Sequence, residues 1–207
     1  MTEPRKKTIS VDELLRKRFN TLPFEGAWAD AYGTPEAAGT WIFWGNSGNG
    51  KTRHALQLAK YLTRWERVLY NTLEEGAKLS FQMAIKESRM GSLSGKFQML
   101  DMEPMTDLMD RLTRKRSANV VIIDSLQYSG LNKATYRELK ESFRKKLFIF
   151  ISHAQGRAPK GQLADDIRYD ADVKTRIEGY RAYPMSRYGG GQPFTIWHQG
   201  AEEYEAI

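Results

Sequence analysis

The chain has 207 residues, enough for one domain with a full core. It has no cysteine, which excludes a disulfide framework and a thiolate metal site, and no apolar run approaches the length of about eighteen residues expected of a membrane helix. Its 32 Lys and Arg against 25 Asp and Glu give a net charge of +7, which suits a polyanionic partner.

Residues 1–20 read as an amino-terminal arm. Met1 to Thr8 is charged and expected to be loose, and Arg5, Lys6 and Lys7 lead into a polar segment rather than a secretory leader. A cytoplasmic protein without membrane association is the expectation. Ser10-Val11-Asp12-Glu13 reads as a capping box that opens a short helix carrying Leu14, Leu15 and Phe19. Residues 21–207 read as a single domain. Gly and Pro punctuate Thr21 to Thr40, with Trp28 and Tyr32 between them; packing on the core is the expectation, packing on a neighbouring subunit the alternative.

The apolar run Trp41-Ile42-Phe43-Trp44 leads into Gly45-Asn46-Ser47-Gly48-Asn49-Gly50-Lys51-Thr52, which matches G-x-x-x-x-G-K-[ST]. Gly45, Gly48 and Gly50 allow a concave turn whose N–H groups point inward at phosphate oxygens. The helix expected from Arg53 to Leu62 adds its positive dipole end to the same pocket. Lys51 is suited to the β- and γ-phosphates, and the Thr52 hydroxyl to Mg²⁺. A Gly-rich turn that binds nothing is the bland alternative; the Lys-Thr pair and both flanks speak against it. The expected ligands are therefore ATP and Mg²⁺, held by Gly45 to Thr52 with Arg53 at the helix start.

Further along, Arg67 to Thr72 reads as a second strand, Ala77 to Arg89 as a helix, Phe97 to Leu100 as a third strand and Met105 to Lys115 as a helix. Asn119 to Asp124 is apolar until its last residue, the pattern of a strand buried on both faces of a parallel sheet. Tyr136 to Lys145 reads as helix and Leu147 to Ile151 as the next buried strand. Strands alternating with helices predict an α/β fold with a mostly parallel central sheet and flanking helices. Gly156 to Asp166 reads as loop. Val173 to Glu178 and Pro193 to His198, separated by the turn at Gly189-Gly190-Gly191, predict antiparallel strands added by the carboxyl-terminal tail.

Asp124, at the carboxyl end of a central strand, falls beside the phosphate loop, because ligands of open α/β sheets bind there. It is the expected partner of Thr52 around Mg²⁺. Hydrolysis needs a base or water-orienting group as well, and both Glu74 and Glu75 follow a neighbouring strand. Their alternative reading is a pair of helix amino-terminal acids. Ser152, His153 and Gln155 follow the Leu147–Ile151 strand and are placed to sense the γ-phosphate. His54 and His198 read as structural.

These residues carry a resemblance. Arg18-Phe19-Asn20-Thr21, and Gly39 to Gly45 into the phosphate loop, resemble the start of the RecA-like core of RadA and KaiC proteins. Val68 to Glu75 is similar to the second-strand motif of RadA, KaiC and the DnaB helicases, whose first acid is catalytic; the resemblance thereby points to Glu74. Val121 to Gln127 resembles the Walker B segment of RadA. Ser152-His153, with Ala158-Pro159-Lys160 and Leu163, resembles its post-strand histidine and the loop after it. Ser186-Arg187-Tyr188-Gly189 is similar to the K-N-R-F-G motif, with Met185 where that motif has lysine. The resemblance covers roughly residues 18 to 198; the RadA zinc module and Lon-like domain and the DnaB amino-terminal domain are not in these residues.

The resemblance implies a RecA-like P-loop ATPase that hydrolyses ATP at a subunit interface of a homo-oligomer and acts on DNA, single-stranded DNA foremost. Arg187 would reach a neighbour's γ-phosphate, with Arg181 as an alternative, and the segments Ser129 to Lys133 and Arg157 to Asp166 would contact DNA through Lys133, Arg157 and Lys160. Solvated surface loops are the alternative for these three cations. A nucleotide-dependent switch of the KaiC kind, binding a protein partner, shares every ATP residue. A small-molecule kinase is disfavoured by the lack of an Arg-rich lid segment, and an AAA+ loader by a tail that reads as strands.

Overall fold

Local signals start several of the elements. The computed structural model describes residues 8–93 and 95–206; the expectation of a loose Met1 to Thr8 lies outside them except for Thr8. Ser10 caps the first helix, α1 (Val11–Arg16): its Oγ accepts from the Glu13 N–H at 3.1 Å while the Glu13 carboxylate accepts from the Ser10 N–H at 2.9 Å. The helix stops before Phe19, which lies outside it. A second helix, α2 (Ala27–Tyr32), lies within the segment expected to be irregular, bounded by Gly26 and Gly33, both at positive φ. Leu22, Phe24, Ala31, Tyr32 and Ala37 are buried, so this segment packs on the core of its own chain.

The chain then alternates: β1 (Gly39–Gly45), α3 (Lys51–Leu62), β2 (Val68–Thr72), α4 (Leu79–Glu87), β3 (Phe97–Asp101), α5 (Met105–Thr113), β4 (Val120–Asp124), α6 (Lys133–Ser142) and β5 (Leu147–Gln155). After β5 come β6 (Ala158–Pro159), α7 (Gln162–Asp170), β7 (Val173–Glu178), β8 (Arg181–Ser186), β9 (Phe194–Thr195) and α8 (His198–Glu205). The sheet order is β3-β2-β4-β5-β1-β7-β8-β9. Pairing is parallel from β3 through β7 and antiparallel for β8 and β9, with β6 folded back on β5.

The central strands are apolar throughout because both sheet faces are covered, and alternation sorts their side chains. Trp41 and Phe43 of β1 join one core with α3 and α2, while Ile42 and Trp44 join the other with α5, α6 and α7. Val120 and Ile122 of β4 face the first core, Val121 and Ile123 the second. Truncating one such side chain to Ala costs about 2–5 kcal/mol, so these strands set the frame on which the site is carried.

Three expectations are corrected. Ser152, His153 and Gln155 do not follow the fifth strand but belong to it, since β5 runs on to Gln155 to pair with β6. Residues 156–166 are not a loop: they form the β5–β6 turn, β6 and the first turns of α7. The tail holds a further strand, β8, while the strand expected over Pro193 to His198 shrinks to β9 and gives way to α8. The Gly-rich turn between β8 and β9 is kept by close packing: a Cβ on Gly190, at φ 79°, would meet the Ala31 carbonyl at 2.7 Å.

Candidate nucleotide-binding site

The parallel register brings four strand ends together. Thr72 of β2 pairs with Asp124 of β4, Asp124 with Ile151 of β5, and His153 of β5 with Gly45 of β1. Because β5 lies between β1 and β4, His153 stands between the phosphate loop and Asp124. Over these ends lies a cleft of about 800 Å³ lined by Gly45 to Gly48, Gly50 to Arg53, Glu74, Glu75, Asp124, His153 and Lys160.

The loop is held from its own chain. Gly48 and Gly50 take positive φ values of 77° and 95°. Asn49 turns its side chain away from the cleft, and its Oδ1 accepts from the Gly179 N–H at 2.7 Å, bracing the loop on the β7–β8 turn. Lys51 Nζ donates to the Asn46 carbonyl at 2.9 Å. Burial lowers the Lys51 ammonium from its ordinary range, against the opposing pull of Asp124 and Glu74. Arg53, in the first turn of α3, lines the cleft, yet its guanidinium pairs with Glu87 at 2.7 Å and lies 4.8 Å from the Trp197 ring centroid.

Asp124 is a half-buried carboxylate. Burial pushes it up to about 6, although the Tyr70 hydroxyl donates to its Oδ2 at 2.5 Å. The Leu73 and Glu74 N–H groups donate to its backbone carbonyl, which ties the end of β2 to the end of β4. The peptide bond from Asp124 to Ser125 is cis.

The pair of acids left open by the sequence takes different places. Glu74 Oε2 accepts from the Ser125 hydroxyl at 2.7 Å and lies 2.8 Å from His153 Nε2. Partial burial raises the Glu74 carboxyl, but the hydrogen bonds of His153 and Ser125 and the charges on His153 and Lys51 bring it below its ordinary value. Glu75 accepts instead from the Ser80 hydroxyl in the first turn of α4. Gln127 clamps the end of β5: its amide donates to Ser152 Oγ at 2.8 Å and to the Lys160 carbonyl at 2.9 Å, and its Oε1 accepts from the His153 N–H at 3.1 Å.

The donor set suits Mg²⁺. One half-buried carboxylate and one hydroxyl, Asp124 and Thr52, offer hard oxygens with room for nucleotide phosphates to complete the coordination, which is how Mg²⁺ is commonly held. Among the described residues no group of three or more His, Asp or Glu forms a metal cage of its own.

The remaining expected residues are dispersed. Lys160 lines the nucleotide cleft, Arg157 sits exposed at the β5–β6 turn with its carbonyl accepting from Trp44 Nε1, and Lys133 is ion-paired with Asp166 at 3.0 Å. Arg187 Nη1 lies 3.2 Å from Asp172 Oδ1, and the other oxygen of Asp172 accepts from the Thr40 N–H. That is the amino end of β1, about 20 Å from the phosphate loop at a strand rise of 3.3 Å per residue. Arg187 therefore does not reach the nucleotide site of its own chain. Arg181 is ion-paired with Glu205 of α8. His54 is fully buried, its Nε2 2.6 Å from the Tyr32 hydroxyl, and His198 begins α8.

Sequence reasoning missed Tyr70, Tyr180 and Trp197. Tyr70 carried a signal, since a hydroxyl in a strand buried on both faces needs a polar partner. Tyr180 and Trp197 line the cleft through the β7–β8 turn and the start of α8, elements the local pattern did not place there.

No protein-family model matches the chain, and no curated protein does. Among solved structures, the flagellar accessory protein FlaH from Methanocaldococcus jannaschii superimposes with a TM-score of 0.60 at 16% identity, covering 86% of this chain and 92% of that one. The fold is accordingly RecA-like: a mostly parallel sheet flanked by helices, with antiparallel strands at the carboxyl-terminal end. Among the described residues no helix is long and apolar enough to cross a membrane.

Proposed function

We propose that the chain binds Mg²⁺-ATP in the cleft over β1, β4 and β5 and hydrolyses it, acting on DNA as a homo-oligomer. One observation carries the hydrolytic reading: Glu74 stands as an ionised base between Ser125 and His153, in the same cleft as Lys51, Thr52 and Asp124. A binding-only P-loop has no need of a carboxylate held this way.

In this reading the inward N–H groups of Gly45 to Gly50 and the start of α3 cradle the phosphates, and Lys51 leaves the Asn46 carbonyl for the β- and γ-phosphate oxygens. Thr52 and Asp124 would hold Mg²⁺, which would supply charge neutralisation at the phosphates. Glu74 accepts the proton of the attacking water. His153 and Ser125 fix the rotamer of Glu74 and keep it ionised, and His153 is within reach of the γ-phosphate side of the cleft.

The position of Arg187 supports action on a neighbour's nucleotide, because its own site lies at the other end of the sheet. The DNA reading is supported by the positive charge of the chain and by the likeness of its motifs to RadA and DnaB proteins. The test is ATP turnover by the purified chain with and without single-stranded DNA, beside Glu74→Gln. Turnover that is DNA-stimulated and lost in the variant supports the reading; an inert wild-type protein that still binds ATP overturns it.

A further inference from the structure

The positive charge of this chain is not spread evenly. At the amino ends of β2, β3 and β4, the end of the sheet opposite the nucleotide cleft, a hollow of about 200 Å³ is lined by Arg67, Lys96, Arg111, Arg114, Lys115 and Arg116, with no carboxylate in its wall. Arg111 is neutralised by Glu103, paired at 2.7 Å. Lys96, Arg114, Lys115 and Arg116 are exposed, and among the described residues none of them is in an ion pair. Two acids lie near: Glu66, which accepts from the Asn119 side chain at 2.7 Å, and the exposed Asp110 on α5.

The turn that displays Arg114-Lys115-Arg116 is built by further cations. Arg67 Nη1 donates to the Arg116 carbonyl at 2.9 Å, and Lys146 Nζ donates to Ser117 Oγ at 2.9 Å and to the Ala118 carbonyl at 2.7 Å. The backbone is thus pinned while three cationic side chains point to solvent. Arg116 has φ 64°, a left-handed conformation that disfavours a non-glycine residue. Glycine or asparagine suits that position better on conformational grounds, yet arginine stands there. Crowding like charges on a fixed, strained turn is unfavourable in the free protein, and a row of phosphates relieves it.

We propose that this turn, with Arg67 and Lys96 beside it, is a docking surface for the phosphate backbone of a nucleic acid, on the side of the sheet away from ATP. The wall offers charge without aromatic side chains, so it holds phosphates and reads no bases. From the proposed function it takes only the class of partner. The strand β4 separates it from Asp124 by about 13 Å at the usual rise, so it works without nucleotide.

The test is fluorescence anisotropy with a labelled single-stranded oligonucleotide, titrated over a range of salt without nucleotide, on the full chain. Three proteins are compared: wild type, R114Q/K115Q/R116Q and R157Q/K160Q. The first variant should bind at least tenfold more weakly, with the slope of log affinity against log salt reduced by about 2, near 0.7 for each phosphate no longer neutralised. Its ATP turnover without DNA should match wild type, which also reports that it folds. R116G separates charge from structure: it relieves the left-handed strain, so its melting temperature should hold or rise while affinity falls. Unchanged affinity and slope in R114Q/K115Q/R116Q overturn the inference, with the ATPase reading left standing. Wild type that ignores oligonucleotides but binds anionic vesicles or an acidic peptide overturns it too. Salt-dependent binding through this turn, with ATP turnover indifferent to DNA, supports the inference and sinks the DNA-stimulated ATPase instead.

Discussion

His153 Nε2 and Glu74 Oε2 stand 2.8 Å apart although 79 positions separate them in the chain. The contact exists because β5 lies between β1 and β4 and outruns β4 by enough residues to pass over the site. Glu74→Gln should therefore keep Mg²⁺-ATP affinity and lose about a hundredfold or more of turnover. Glu75→Gln, at a carboxylate hydrogen-bonded to Ser80 on α4, should change turnover little. If the two variants exchange these behaviours, the base is Glu75.

A pH profile tests the role of His153. Hydrogen bonds from His153 and Ser125 hold the Glu74 carboxyl below its ordinary value, so the base stays ionised further into acid. In His153→Ala that support is lost and the Glu74 pKa rises. The acidic limb of turnover should move to higher pH, while a purely structural histidine would scale the whole profile down without moving the limb.

Lys51→Ala should abolish ATP binding or turnover and shift stability by no more than about 1 kcal/mol, since the residue, at the first position of α3, gives up one hydrogen bond. Circular dichroism melts and nucleotide binding on the same sample check this. Wild-type turnover in the variant would remove the phosphate-loop assignment.

The Arg187 side chain is 59% exposed, paired with Asp172, and sits at the end of the sheet away from its own chain's cleft. Arg187→Ala should slow turnover and spare ATP binding. Mixed with Lys51→Ala, it should recover part of the activity, because some interfaces then pair an intact site with an intact arginine. A co-assembled mixture no more active than its parts would leave Arg187 as a brace for Asp172 and the Gly-rich turn.

Stability should depend on His54. Burial lowers its pKa from 6.5 to about 3, so the folded protein holds it neutral while the unfolded chain takes up a proton below 6.5. The stability it carries is fully present above pH 6.5 and is lost as pH falls toward 3. Asp124, raised to about 6, has the opposite sign: its cost is relieved as pH falls through 6. The difference between wild type and His54→Gln cancels the Asp124 contribution. That difference should shrink by about 2 kcal/mol between pH 7.5 and 5, as read by denaturant melts. A pH-independent difference would mean that folding leaves the His54 pKa unchanged.

Short-range chemistry was enough for much of this protein. The strand, turn and helix around Gly45 to Thr52 are legible because they are contiguous, and backbone conformation there depends on neighbouring residues alone. Asp124 and the parallel sheet are legible for the same reason: a strand buried on both faces must be apolar along its length, and only its end is free to carry a charge. Which acid meets Ser125 and His153 could not be read from spacing, because Glu74 and Glu75 differ only in which distant partner each meets. The same holds for Tyr70 on Asp124, Trp197 against Arg53, and the sequestering of Lys133 by Asp166. The basic turn was hidden in the overall charge, since net charge has no location until Arg67, Lys96 and Arg114 to Arg116 are brought to one edge. Strand order decides all of these. It is set by packing between residues far apart in the chain, which local periodicity does not encode.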